Sequence, residues 1–137
     1  MSTQGKIGLI LGSAIAPEDI AGAATQAEEN GFNEIWLAED YFFTGGISGA
    51  SVVLGATSEI TVGLGVVSAV ARHPSVLAME LATLSRSSPE RLIAGVGLGG
   101  WSVSGLCGWC GGAGVAGGLV GAVTAGRRVP RWGCVSR

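Results

Sequence analysis

Few positions in this sequence combine reactive side chains with a spacing that chemistry could use. Cys107-Gly-Trp-Cys110 has the spacing of a disulfide-exchanging dithiol, given a thiolate of lowered pKa at a helix N-terminus. No strand-to-helix pattern surrounds it, and Cys134 has no obvious partner, so the residues do not favour that chemistry. Gly95-x-Gly97-x-x-Gly100 satisfies a dinucleotide-binding spacing and follows an apolar run. What comes next, Trp-Ser-Val-Ser-Gly, is no helix, and no acid lies downstream to hold a ribose. His73 is the only histidine, so without a second imidazole or clustered acids no metal site is expected. Its place before Pro74 suits the start of a helix. What remains is an acidic and aromatic run, Glu39-Asp-Tyr-Phe-Phe-Thr-Gly-Gly46.

The elements that must position these residues repeat in a regular order. Lys6-Ile-Gly-Leu-Ile-Leu11 is an apolar run of strand length that ends at Gly12-Ser13. Pro17 suits a first helical turn, and Glu18 and Asp19 place negative charge where the helix dipole favours it. Ile20, Ala23, Ala24 and Ala27 form one stripe, and Asn30-Gly31 tolerates the positive φ that stops a helix. Glu34-Ile-Trp-Leu-Ala38 is a second strand, leading into the acidic and aromatic loop. Residues 48–57 form a helix diluted by Gly49 and Gly55, and Ile60 to Val67 a third strand. Pro74 opens a helix with Leu77, Leu81 and Leu84 on one face, and Arg91 to Gly97 is a fourth strand. The order β-α-β-α-β-α-β, with strands apolar throughout, predicts an α/β fold whose parallel sheet is buried on both faces.

In this order and spacing the sequence resembles the luciferase-like flavin and deazaflavin oxidoreductases. The likeness runs from about Lys6 to Leu98. It is carried by Ile7-Gly-Leu-Ile, Ala27-Glu-Glu-Asn-Gly-Phe32, Ile35-Trp-Leu-Ala-Glu-Asp-Tyr-Phe42 and Ile60-Thr-Val-Gly-Leu-Gly-Val67, then by Arg72-His-Pro74, Ala78-Met-Glu-Leu-Ala-Thr-Leu84 and Arg91-Leu-Ile-Ala-Gly-Val-Gly97. Glu39-Asp-Tyr-Phe-Phe and Arg72-His-Pro are most similar to the branch that uses the deazaflavin coenzyme F420 rather than FMN. The resemblance implies a (β/α)8 barrel of which residues 5–98 supply four βα units. It implies that Asp40, just past the second strand, lies beside the ring system and substrate, although Tyr41 stands where many relatives carry histidine. Ordering of its own loop is the competing role for Asp40. Gly65-Val66 matches a third-strand bulge where relatives carry a non-prolyl cis peptide against the flavin; an ordinary glycine in a buried strand is the alternative. Gly97 and Gly99 would let backbone approach the cofactor.

Composition divides the chain in two. The 137 residues cannot hold a complete (β/α)8 barrel, which needs about 250. Residues 1–98 carry all ten acids against four basic residues, a balance of −6, whereas residues 99–137 carry four arginines and no acid. The overall net charge of −2 gives no general reason to expect nucleic acid as a partner. Twelve of the last 39 residues are glycine, and Asp, Glu, Lys, Asn, Gln, His and Tyr are all missing there. Those seven types share codons with A in the middle position. The tail therefore reads as GC-rich DNA translated out of frame, and order is not expected in it. A membrane anchor is the competing account, since no charge occurs between Arg91 and Arg127, but nine glycines in residues 103–126 weaken its hydrophobic drive. At the other end, Lys6, Ile7–Ile15 and Ala14-Ile-Ala16 mimic a signal peptide. Pro17 after the cut, and the helix pattern in register behind it, argue instead for a cytoplasmic protein.

Three functional expectations follow. The first is an oxidoreductase lineage that moves hydride between the reduced deazaflavin coenzyme and a small organic substrate, inactive in this truncated form. The second is an FMN-dependent monooxygenase of the same family. The third is a non-catalytic or membrane-tethered fragment that self-associates through open sheet edges.

Overall fold

The computed structural model describes residues 5–98 and, as backbone, the strand at 119–124. Strand β1 (Gly8–Leu11) leads through a short 3-10 turn (Pro17–Asp19) into helix α1 (Ile20–Glu29). Then follow β2 (Glu34–Leu37), α2 (Gly46–Ala56), β3 (Thr61–Ser68), α3 (Pro74–Ser87) and β4 (Leu92–Gly97). The first four strands are parallel and lie side by side in chain order, with Leu11 beside Leu37 and Leu37 beside Leu64. No reversal of strand order occurs among them, so these are consecutive βα units of one winding.

The core lies between one face of this sheet and the helices. Ile35, Val62 and Leu64 are fully buried there, and Ile20, Ala24 and Ala27 of α1 meet them as the predicted stripe. Gly31 ends that helix at φ +82°. His73 caps α3 with its ring Nδ1, which accepts from the Ser75 amide at 3.3 Å. The expectation of a sheet buried on both faces holds on the helical side. On the other face Ile10 is 72% exposed and Trp36 is half-buried, over a bed formed by Gly8, Gly63 and Gly65.

Two details depart from the sequence expectation. Helix α2 starts at Gly46, two residues early, where the Glu39 carboxylate accepts the Gly46 amide, and it buries Gly46, Gly49 and Ala50 together with Ile47, Val53 and Leu54. A Cβ at 46 would press on Glu39 at 3.2 Å, so the glycine that weakens the helix lets the preceding loop close on it. In the tail, where no element is expected, Leu119–Thr124 forms strand β5, antiparallel to β4 with Ile93 opposite Thr124.

At the N-terminal end of the strands, a carboxylate and a guanidinium close the sheet. Glu28 of α1 accepts the amides of Ser58, Glu59 and Ile60 at 2.7 to 3.1 Å. Arg91 donates to the carbonyls of Thr57 and Ile60 and to the Thr57 hydroxyl.

Candidate functional site

The opposite end of the sheet carries the loop chemistry. An extended chain sends successive side chains to opposite sides, so the neighbouring acids Glu39 and Asp40 part company just past β2. Glu39 turns inward. Its Oε1 and Oε2 accept Arg72 Nη1 and Nη2 at 2.6 and 2.7 Å, a two-pronged ion pair. Oε2 also accepts the Gly46 amide at 2.9 Å, the first of α2, and Oε1 the Ser68 amide at 3.3 Å, the last of β3. Burial raises the Glu39 pKa, but the Arg72 guanidinium and the two amides outweigh it and hold the carboxyl below its usual range. Arg72 is held above its own usual range, first by the hydrogen bond to Glu39.

Asp40 turns outward and is exposed. Its Oδ2 accepts the Ser13 hydroxyl at 2.6 Å. Thr44 reinforces that link between the loops after β1 and β2, donating its hydroxyl to the Ile15 carbonyl at 3.0 Å and its amide to the Ser13 carbonyl at 3.2 Å. Phe42 takes φ +71° and is 90% exposed, so the turn holds an aromatic ring out in water. Glu39, Asp40, Tyr41, Ser68 and Arg72 line a cavity of about 270 Å³ between the loop after β2 and the segment that ends β3 and leads to α3.

The third strand breaks register between Leu64 and Val67, and the Gly65–Val66 peptide within the break is cis. The bulge lays Val66 over β4: a Cβ at Gly95 would meet Val66 Cγ1 at 2.9 Å, and one at Gly97 would meet Cγ2 at 2.8 Å. Gly65 is exposed and lies beside the Trp36 ring. Of the residues singled out from the sequence, Val66 and Gly97 are thus in contact. Asp40 lies at the cavity, whose Ser68 is the register partner of Gly97. Gly99, Cys107, Cys110 and Cys134 lie outside the described residues. Glu39 escaped the sequence analysis. The signal for it was indirect: with few cations in the first 98 residues, each of Arg72 and Arg91 needs an acceptor if it is to be even partly buried.

Among the described residues no group of three potential metal ligands occurs, and no helix is long and apolar enough to cross a membrane.

Comparison with known proteins places this geometry among relatives. The family model for luciferase-like monooxygenases matches residues 1–106. The chain is 36% identical over 86 residues to 5,10-methylenetetrahydromethanopterin reductase of Methanopyrus kandleri, covering 61% of this chain and 24% of that protein. It is 35% identical over 92 residues to F420-dependent glucose-6-phosphate dehydrogenase of Nakamurella multipartita, covering 61% and 27%. Among solved structures it superposes on the coenzyme F420 dependent tetrahydromethanopterin reductase from Methanopyrus kandleri with a TM-score of 0.67 and 30% identity, over 75% of this chain and 30% of that one. On monooxygenase RslO1 from Streptomyces bottropensis the TM-score is 0.60 with 27% identity, over 67% and 32%. The chain spans about a quarter of the length of the curated relatives it matches.

Proposed function

Since the chain belongs to the luciferase-like monooxygenase family, with four parallel βα units that match part of its barrel, we propose that it carries part of an F420-dependent oxidoreductase acting on a small organic substrate. The observation that carries this reading is the identity, near 35%, to an F420-dependent dehydrogenase and a reductase over 61% of this chain.

The reduced deazaflavin would supply the hydride. The residues present fit one face of such a ring. Gly65 is exposed beside the bulge, Val66 lies flat over Gly95 and Gly97, and no side chain projects from the glycines between them. In this reading Gly65, Val66 and Gly97 bound the ring, and Asp40, with Oδ2 engaged by Ser13, exchanges a proton at Oδ1 with substrate or solvent. Gly99 would continue the same backbone approach. The described residues offer less to a phosphate tail. Arg72 is spent on Glu39, and Arg91 on backbone at the far end of the sheet.

The second reading, FMN-dependent oxygenation, draws on the likeness to monooxygenase RslO1. Titrating the full chain with reduced F420 and with FMN, followed by ring fluorescence, separates the two. We expect saturable but weak binding, Kd above about 10 µM, with F420 preferred. Binding of FMN alone would give the second reading the site, and binding of neither would remove both.

A further inference from the structure

We propose that Glu39 is the positioning residue of this site: its carboxylate, gripped by Arg72, pins the ends of β2 and β3 and the start of α2, and so holds Asp40 at the cavity. The part played by Asp40 rests on the proposed function; the part played by Glu39 rests on geometry alone.

A carboxylate offers about four acceptor positions. In Glu39 all are used, two by Arg72 and one each by the amides of Gly46 and Ser68. No lone pair is left for a substrate proton, so Glu39 is not the group that exchanges one. Its four donors come from three separate places: the start of α2, the end of β3, and the segment between β3 and α3. Arg72 extends the tie further, because its Nε lies 3.7 Å from Glu80 Oε2 on α3, an oxygen that is buried and accepts no hydrogen bond. The charged group facing Glu39 is therefore Arg72, which Glu80 meets from α3, with Asp40 and Tyr41 beside them from the loop of Glu39. A neutral amide at 39 would fail here for a specific reason. It keeps one acceptor oxygen and brings an NH2 group to face the donors of Arg72, Gly46 or Ser68. Asp40 is the next residue in the chain, so its backbone moves with whatever moves Glu39, and Ser13 then fixes its side chain.

The test is amide hydrogen exchange of Gly46 and Ser68 in the full chain as a function of pH, with the Asp40 carboxyl carbon followed by NMR. Because the Glu39 pKa is depressed, its contribution is complete above the ordinary carboxylate range and is lost as pH falls through the depressed value. In the unaltered chain, protection of both amides should hold at neutral pH and then drop roughly tenfold at the acid end, beyond the intrinsic change in exchange rate. Glu39→Gln should show the same loss already at neutral pH, without the acid step, and shift the Asp40 resonance. Arg72→Gln should shift that resonance too. A side chain that merely filled space would give no acid step. If Glu39→Gln does not fold, the profile of Glu28→Gln decides, because that variant lacks the other carboxylate whose pKa is lowered. Equal protection in both proteins, a profile without the step, or an unmoved Asp40 resonance would overturn the proposal. Loss of F420 binding with this profile intact would count against the functional reading alone.

Discussion

The six-membered ring of the Trp36 indole rests on the backbone of Gly63, on the sheet face away from the helices, and leaves no room there for a Cβ. The two are register partners on β2 and β3, so the contact is fixed by the strand pairing. The indole N–H is anchored in turn to Glu34 Oε2 at 3.1 Å. Gly63→Ala should cost about 1–3 kcal/mol, because either the indole or the strand must shift. Urea unfolding measures it, and Trp36 fluorescence should change before the transition. An unchanged midpoint would mean that the indole moves aside freely.

The glycines of β4 should rank by what surrounds them. At Gly95 a Cβ would lie 2.6 Å from the Leu64 carbonyl oxygen, which is backbone and cannot rotate away. At Gly97 the obstacle is a Val66 methyl, which can. Gly95→Ala is therefore expected to cost more than Gly97→Ala, about 3 kcal/mol against about 1. Gly22, inside α1 with nothing within 4 Å of a Cβ, should behave oppositely: Gly22→Ala is expected to gain about 0.5–1 kcal/mol. Thermal unfolding of the three variants side by side checks the order.

Glu28 makes stability depend on acid. Its pKa is lowered, chiefly by the Glu59 amide, with desolvation opposing and the amides of Ile60 and Ser58 and the charge of Arg91 adding. Its contribution is therefore present above the ordinary value of 4.5 and disappears as pH falls through the depressed one. Glu28→Gln should lower Tm at pH 7 and flatten the fall in Tm on acidification. Parallel acid limbs in the two proteins would assign that dependence elsewhere.

The exposed edge of β1 gives an expectation for association. Among the described residues β1 pairs only with β2, while Ile7 and Ile10 are 61% and 72% exposed. An apolar, unpaired edge is a template for another strand. Sedimentation velocity should show concentration-dependent self-association that Ile10→Lys reduces. A monomer at all concentrations would remove the idea.

Much of this fold was legible in the sequence because its signals are local. The strands at Glu34 and Ile60, the stop at Asn30-Gly31 and the helix start at Pro74 each depend on a few adjacent residues. The site was less legible. The family resemblance singled out Asp40 and gave Glu39 no role, and from sequence alone adjacent acids look equivalent until the backbone sends them to opposite sides. The partner that distinguishes them, Arg72, lies 33 positions away. The early start of α2 was hidden for a related reason. Gly46 reads as a helix breaker, and only the Glu39 carboxylate at its amide turns it into a first turn. The direction of β5 could not be read either, because a ladder along β4 leaves no mark on its own residues.

That fifth strand makes the β4 edge a seat with one place. A strand edge accepts a single neighbour, and the seat beside Gly95 and Val96 is taken by Ala122 and Gly121 running antiparallel. A further βα unit continuing the parallel winding would need the same backbone donors and acceptors. The two arrangements are therefore mutually exclusive. Extension of the winding beyond β4 becomes a displacement reaction, in which an incoming strand must first evict the resident one.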